Sequence, residues 1–283
     1  MLPRWLKKSV PTIEQTKTVR QVLAELDLNT VCRSAHCPNL GECFASGTAT
    51  FLILGTNCTR TCSFCAVDKG NLLPIDIDEP QRIAQAVKRL GIQHVVITSV
   101  TRDDLVDGGA EQYVATIQAI RQSNPESTIE ILVPDFLGSE SAIKKVLTAT
   151  PDIFNHNLET VERLYFTVRP QASYHRSLKI LAFAKKFMPE LIIKSGIMIG
   201  LGETINEIFS LMDDLISVKC NILTIGQYLQ PSVNHVPVAK YYTPAEFDEL
   251  RNRGLEKGFT IVVSSPFTRS SYHAEEVVHQ LMS

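Results

Sequence analysis

The seven cysteines of the sequence are unevenly spread: Cys32, Cys37 and Cys43 are followed closely by Cys58, Cys62 and Cys65, and only Cys220 stands apart. The second trio lies in NCTRTCSFC, residues 57–65, with the spacing C-x3-C-x2-C. Three thiolates in so short a loop can all face one object, and the candidates are a zinc ion, an iron–sulfur cluster, or nothing. Structural zinc takes four closed ligands, usually from paired C-x2-C knuckles, and the bacterial ferredoxin run C-x2-C-x2-C-x3-C-P does not match. A [4Fe–4S] cube has four iron corners. Three thiolates leave one iron without a protein ligand, and an open iron is a binding site. The first trio stands in CRSAHCPNLGEC, residues 32–43, spaced C-x4-C-x5-C. Its tail of Pro38, Asn39, Gly41 and Glu42 is turn-like and predicts a loop that folds back around a cluster. Buried thiols are the bland alternative. Cys220 reads as a small buried hydrophobe, the usual fate of a lone free cysteine.

Elements that would position these thiols follow from periodicity. TATFLILG (48–55) is an apolar run of strand length that ends at the second cysteine loop. Next, 78–91 reads as an amphipathic helix with a proline in its first turn and Gly91 as its stop. The alternation continues with strands at 94–100, 128–134, 152–157, 191–200, 221–229 and 259–265. Helices are predicted at 110–123, 139–149, 173–187, 203–218 and 243–258. Unbroken Val, Ile and Leu runs between amphipathic helices imply a parallel sheet covered by helices. Six or seven such units fit an open doubly wound sheet or a full or partial TIM-type barrel. In either, chemistry gathers at the carboxyl ends of strands, where Asn57, Thr101-Arg102-Asp103-Asp104, His156-Asn157, Gly202-Glu203 and Gln227-Tyr228 stand.

Composition narrows the classes. The 283 residues are 44% hydrophobic and 20% charged, enough for a sizeable core without staples. A net charge of -2 and no basic run beyond Arg4, Lys7 and Lys8 argue against nucleic acid as a partner. The longest apolar stretches are too short to span a bilayer, and MLPRWLKKSVP has no apolar core of signal-peptide length. The expectation is a cytoplasmic chain in a reducing compartment, where cysteines serve as thiolate ligands or catalysts. There is no Walker loop, no G-x-G-x-x-G after the first strand and no G-x-S-x-G.

The loop Cys58-Thr-Arg-Thr-Cys62-Ser-Phe-Cys65, with an aromatic before its last cysteine, resembles the signature of the radical S-adenosylmethionine (SAM) enzymes. In that family an open iron of a [4Fe–4S] cluster chelates the amino and carboxylate groups of SAM, and an electron from the cluster cleaves SAM to a 5'-deoxyadenosyl radical. The family's loop follows the first strand of a full or partial barrel. Within it, the chain resembles the lipoyl synthases along nearly its whole length. The resemblance is carried by CRSAHCPNLGEC and by SVTRDDLVDGGAEQY (99–113), FNHNLETVERLY (154–165), KSGIMIGLGET (194–204), GQYLQPSVNHVPV (226–238) and RSSYHA (269–274). The fold so implied is α/β, a partial (β/α)6 TIM-type barrel with N- and C-terminal extensions. Its divisions are an extension over 1–45 with the first trio, a barrel over 46–265, and an extension over 266–283 with the R-S-S-Y motif. Biotin synthase shares barrel and loop but lacks the C-x4-C-x5-C trio. A non-catalytic iron–sulfur or zinc module is the reading from a different class.

The resemblance also implies the site. Cys58, Cys62 and Cys65 would hold the SAM-binding cluster. Cys32, Cys37 and Cys43 would hold an auxiliary [4Fe–4S] cluster whose fourth ligand is Ser271, the second serine of R-S-S-Y. A hard alkoxide is a poor match to iron that otherwise sees sulfur, so that bond is expected to be labile. Gly108 and Gly109 stand at the family's contact to the SAM amino group, Asn157 and Glu159 at the ribose hydroxyls, and Lys194 and Glu203 at the carboxylate and adenine. A plain helix-start turn rivals the first assignment, and a capping role rivals that of Asn157. Met198 replaces the more usual Ile of the family pattern, Arg269 would shield or position the serine-ligated iron, and His156 and His235 read as structural, with lining of the cavity as the rival role. The reaction implied is sulfur insertion at C6 and C8 of a protein-bound octanoyl-lysine, with no acid–base residue, two SAM per lipoyl group and sulfur from the auxiliary cluster. Implied partners are octanoylated lipoyl-carrier domains, as in 2-oxoacid dehydrogenase subunits and the glycine cleavage H protein, an electron donor and an iron–sulfur repair protein. QPSVNHVPV would contact the carrier. A monomer with no nucleic-acid or membrane partner completes the expectation.

Overall fold

The structure is a computed structural model that describes residues 2–8 and 11–282. Helix α1 (Ile13–Glu25) opens the regular structure, followed by two short helices, α2 (Val31–Ser34) and α3 (Leu40–Ala45). The alternating part then runs β1 (Thr50–Ile53), α4 (Glu79–Leu90), β2 (His94–Ser99), α5 (Ala110–Ser123), β3 (Thr128–Leu132), α6 (Glu140–Thr148) and β4 (Ile153–Asn155). It continues through α7 (Tyr165–Val168), α8 (Tyr174–Phe187), β5 (Ile192–Ile199), α9 (Ile205–Ser217), β6 (Ile222–Gln227), α10 (Pro244–Lys257) and β7 (Ile261–Ser265), and ends in α11 (Ala274–Met282).

The strands form one open seven-stranded sheet in chain order, β1 to β7. The α/β partial-barrel expectation holds, with β7 as a seventh strand beside the six expected. Each predicted strand and helix between 48 and 265 has its counterpart, with ends that coincide or are trimmed by one or two residues. The chain divides into two compact units, one of residues 9–60, 67–153 and 271–283, the other of residues 1–8, 61–66 and 154–270.

In the first unit β1, β2 and β3 pair in parallel, with Thr50 opposite Val96 and Val96 opposite Glu130. Every residue of β1 is buried, and Phe51, Ile53, Val95, Ile97, Ile129 and Ile131 are fully buried on one face of these strands. Gly91, with a left-handed φ of 64°, closes α4 as the sequence predicts. In the second unit β5, β6 and β7 pair in parallel, with Lys194 opposite Ile222 and Ile222 opposite Ile261. Helices α9 and α10 start with reciprocal capping boxes, Thr204 with Glu207 and Thr243 with Glu246, each satisfying backbone donors that a helix start would leave bare. No helix among the described residues is long and apolar enough to cross a membrane.

One expectation needs correction. The stretch around the first trio is only partly a turn-like loop: residues 35–39, with Cys37, Pro38 and Asn39, turn as expected, while Cys32 and the Gly41–Cys43 stretch are helical. Thr30 accepts from Arg33 N to cap α2, and α3 spans LGECFA despite its glycine. Phe44 and Cys32, both buried, supply the apolar anchors that composition alone left unweighted.

Candidate functional site

The second cysteine loop is fastened by its own backbone. On leaving β1 the chain turns through Leu54 and Gly55, both at positive φ. Cys58 N donates to Asp68 O, and both Thr59 N and Thr59 Oγ1 donate to Thr101 O at 3.0 Å. Arg60, 4% exposed, has its guanidinium on Asp103 through two bonds of 2.7 and 2.9 Å and on Asp135 at 2.5 Å. Burial works against its charge, but the hydrogen bonds to the two carboxylates raise its pKa above the ordinary arginine value. The Arg60 backbone N–H donates to Cys58 Sγ at 3.4 Å.

Beyond Arg60 the loop is in the second unit. Thr61 N donates to Gln171 Oε1, Ser63 N to Val168 O, and Ser63 Oγ to Thr167 O. Val236 N donates to Ser63 O, while His235 Nε2 lies 3.2 Å from the Cys65 carbonyl and its Nδ1 lies 2.9 Å from Ser232 Oγ. A carbonyl can only accept, so Nε2 carries the proton. His235 is thus a structural histidine of the cysteine loop, and one end of QPSVNHVPV is occupied in holding that loop. Cys58, Cys62 and Cys65 form no disulfide and are half-buried.

The first trio gathers in the first unit. Thr30 bridges Phe51 in antiparallel fashion and Leu52 N donates to Asn29 O, which brings the start of α2 beside β1. Cys32 contacts Thr50 through backbone and hydroxyl, and burial pushes its thiol up to about 11. Cys37 lies close enough to Cys32 to interact electrostatically. Ser271 Oγ accepts from Thr50 Oγ1 at 2.7 Å. Tyr272 donates to Glu42 at 2.6 Å and is influenced by Cys43. These contacts draw Cys32, Cys37, Cys43 and Ser271 toward the same end of β1. Among the described residues no group of three or more His, Cys, Asp or Glu is disposed to hold a single metal ion.

A further group clusters in the second unit. Asn157 Nδ2 donates to Glu159 Oε1 at 3.0 Å and stands 2.7 Å from Ser270 Oγ, which also lies 3.0 Å from Asn157 Oδ1. Glu159 has a left-handed φ of 65°, uncommon for a side chain of this size. Burial raises its pKa, against the opposing pull of Arg169, Asn157 and Arg269. A Cβ on Gly196 would meet Thr224 Oγ1 at 2.5 Å and Asn157 Oδ1 at 2.8 Å. Lys194 and Met198, two residues either side of Gly196, therefore share the sheet face that Asn157 occupies, and Lys194 is 1% exposed.

The other expected residues have local tasks. Glu203 accepts from Gly200 N, Leu201 N and the Tyr242 hydroxyl, so its carboxylate shapes the turn after β5 and none of these partners belongs to the Asn157 group. Gly108 and Gly109, at φ 62° and 88°, lead into α5 in the first unit. A Cβ at Gly109 would fall 2.2 Å from Leu54 Cδ1. His156 pairs its Nε2 with Ser177 Oγ in the core, as expected for a structural histidine. Gln227 bonds to the backbone of Ile199, Tyr228, Lys240 and Tyr242, which makes it a brace for the following loop.

Sequence reasoning passed over Arg60, Asp135, Thr50, Arg169 and Ser270. A charged residue between two cysteines was the available signal for Arg60, and nothing in pattern or composition marks Thr50.

Comparison with known proteins gives a consistent picture. A family model of the radical SAM superfamily matches residues 52–215. The chain is 53% identical over 274 residues to the lipoyl synthase of Rubrobacter xylanophilus, covering 97% of this chain and 85% of that one. It is 54% identical over 277 residues to the lipoyl synthase of Chlorobium limicola, covering 98% and 94%. Among solved structures, methylornithine synthase (PylB) is similar with a TM-score of 0.58 at 16% identity, over 91% of this chain and 86% of that one, a likeness of fold alone.

Proposed function

Because this chain belongs to the radical SAM superfamily and, within it, to the lipoyl synthases, we propose that it inserts two sulfur atoms, at C6 and C8, into an octanoyl chain carried on a lysine of a lipoyl domain. An auxiliary [4Fe–4S] cluster, held by Cys32, Cys37, Cys43 and Ser271, would supply the sulfur. The observation that supports this finer reading is that Ser271 and Cys32 both lie against Thr50, with Cys37 near Cys32 and Cys43 near Tyr272, a second donor set besides the loop of Cys58, Cys62 and Cys65.

The residues present fit both clusters. Cys58, Cys62 and Cys65 stand outside any disulfide on a loop whose backbone is already fixed. Cys32, Cys37, Cys43 and Ser271 offer three sulfurs and an oxygen; buried Cys32 holds its proton tightly, as a thiol does until a metal displaces it. When bound, the first cluster and SAM supply the primary carbon radical that an unactivated C–H bond demands, since no side chain has a pKa suited to removing such a proton. One SAM per C–H bond makes two per lipoyl group.

The chain's own residues bind and orient. Asn157, braced at both ends of its amide by Ser270, faces the ribose hydroxyls together with Glu159. Lys194 projects from the same sheet face toward the SAM carboxylate. Gly108 and Gly109, which carry no side chains, would let the backbone come close to the amino group, and Glu203 holds the turn after β5 in shape for the adenine. The extensions 1–45 and 266–283 serve the auxiliary cluster. The partners are octanoylated carrier domains, an electron donor and a protein that rebuilds the spent cluster.

The test uses anaerobically reconstituted protein, an octanoyl-lysyl peptide, SAM and a strong reductant, followed by mass spectrometry. The expected products are 5'-deoxyadenosine and a peptide carrying two added sulfurs. Deoxyadenosine without sulfur gain would assign the chain to another radical SAM reaction. Iron analysis should give about eight irons per chain, four per cube; about four, or stoichiometric zinc, would remove the auxiliary cluster.

A further inference from the structure

We infer that Thr50 is a positioning residue for the auxiliary site, with a hydroxyl that orients Ser271 and ties it to Cys32. The inference rests on the reading of Ser271 as an iron ligand given above. Thr50 is the first residue of β1 and is 5% exposed. Its Oγ1 donates to Ser271 Oγ at 2.7 Å, across 221 residues of sequence. The same residue contacts the Cys32 thiol through its backbone and its hydroxyl. One side chain thus touches both ends of the donor set that the chain must assemble, the first cysteine and the closing serine.

The residue type suits the task. Threonine is favoured in strands and is stiff at χ1 because its Cβ is branched, so β1 aims its hydroxyl along a fixed direction. That end of β1 is held in turn, since the Thr30–Phe51 bridge and the bond from Leu52 N to Asn29 O bind the N-terminal segment beside it. Serine has no such stiffness, and Ser271 lies between β7 and α11, outside both elements. Without a partner its hydroxyl would spread over three rotamers. A hydroxyl has one proton and two lone pairs. While Thr50 supplies the proton to Ser271 Oγ, the serine oxygen keeps lone pairs to offer to iron. Valine at position 50 keeps the branched Cβ and removes the hydroxyl, with its contacts to Ser271 and Cys32.

The experiment compares wild type, Thr50→Val, Thr50→Ala, Thr50→Ser and Ser271→Ala after anaerobic reconstitution. Iron and sulfide are counted, and iron release to a chelator is then followed in time. In Thr50→Val and Thr50→Ala, one iron per chain should leave about ten-fold faster than in wild type, the factor one lost hydrogen bond of ordinary strength gives. The remaining irons should leave at the wild-type rate, and Thr50→Ser should restore slow release. Equal release from wild type and both Thr50→Val and Thr50→Ala would overturn the inference, as would a uniform loss of all irons that Thr50→Ser does not correct. A different result marks failure of the underlying reading: wild type with about four irons, or Ser271→Ala releasing no iron faster than wild type.

Discussion

Arg60 shows how a residue between two cysteines can decide whether their loop is held in place. Its guanidinium is 3% exposed and Asp135 is fully buried, so the pair is held where charge is expensive to leave unmatched. Arg60→Met should lower the unfolding free energy of the cluster-free protein by about 3–5 kcal/mol, the cost of stranding a buried carboxylate, as read by urea denaturation. Arg60→Lys keeps the charge and loses the two-pronged contact to Asp103, and should fall between the two. Wild-type stability in Arg60→Met would dismiss the ion pair as an anchor. At Gly196 the constraint is space: Gly196→Ala drives a Cβ against Thr224, Asn157 and Ser270 and should cost about 1–3 kcal/mol by overpacking, measured the same way. The cysteines were legible in the sequence because spacing is itself the signal. Arg60, Thr50 and Ser270 were not, since each acts through a partner 43 to 221 residues away, and one-dimensional pattern carries no such pairing.

At the scale of elements, the alternation of buried strands and amphipathic helices was readable to within a few residues, because the apolar periods of 2 and 3.6 are the same property that buries each face. The first 45 residues were not. Helix α1 is long and has a reciprocal cap between Thr12 and Gln15, but α2 and α3 are too short for a period to emerge and are held by contacts to β1 and Tyr272. Short helices are tertiary creations. The start of α9 allows a test by pH. Arg163 and the Thr204 backbone bring the Glu207 carboxyl down from 4.5 to about 2. A depressed folded-state value means its stabilisation is full above about pH 4.5 and fades as pH falls toward 2. Glu207→Gln should therefore be less stable than wild type at pH 7, with the gap narrowing steadily below pH 4.5 in urea melts. A gap unchanged between pH 7 and pH 3 would contradict this.

For the whole molecule, family membership supplies the radical SAM enzyme and its product class, while the division of labour between two cysteine trios is the central claim about this chain. Sequence placed six cysteines in two groups; the structure adds that the earlier trio shares one compact unit with Ser271, joined through Thr50 and Tyr272. No pattern along the chain could have joined a serine near the C-terminus to cysteines near the N-terminus, which is why the resemblance had to suggest it. The most direct measurement is the octanoyl-lysyl peptide assay run on Cys37→Ala beside wild type, with deoxyadenosine and peptide mass followed together. The account predicts that Cys37→Ala still forms 5'-deoxyadenosine while its peptide gains no sulfur. Full lipoyl formation by Cys37→Ala would contradict it.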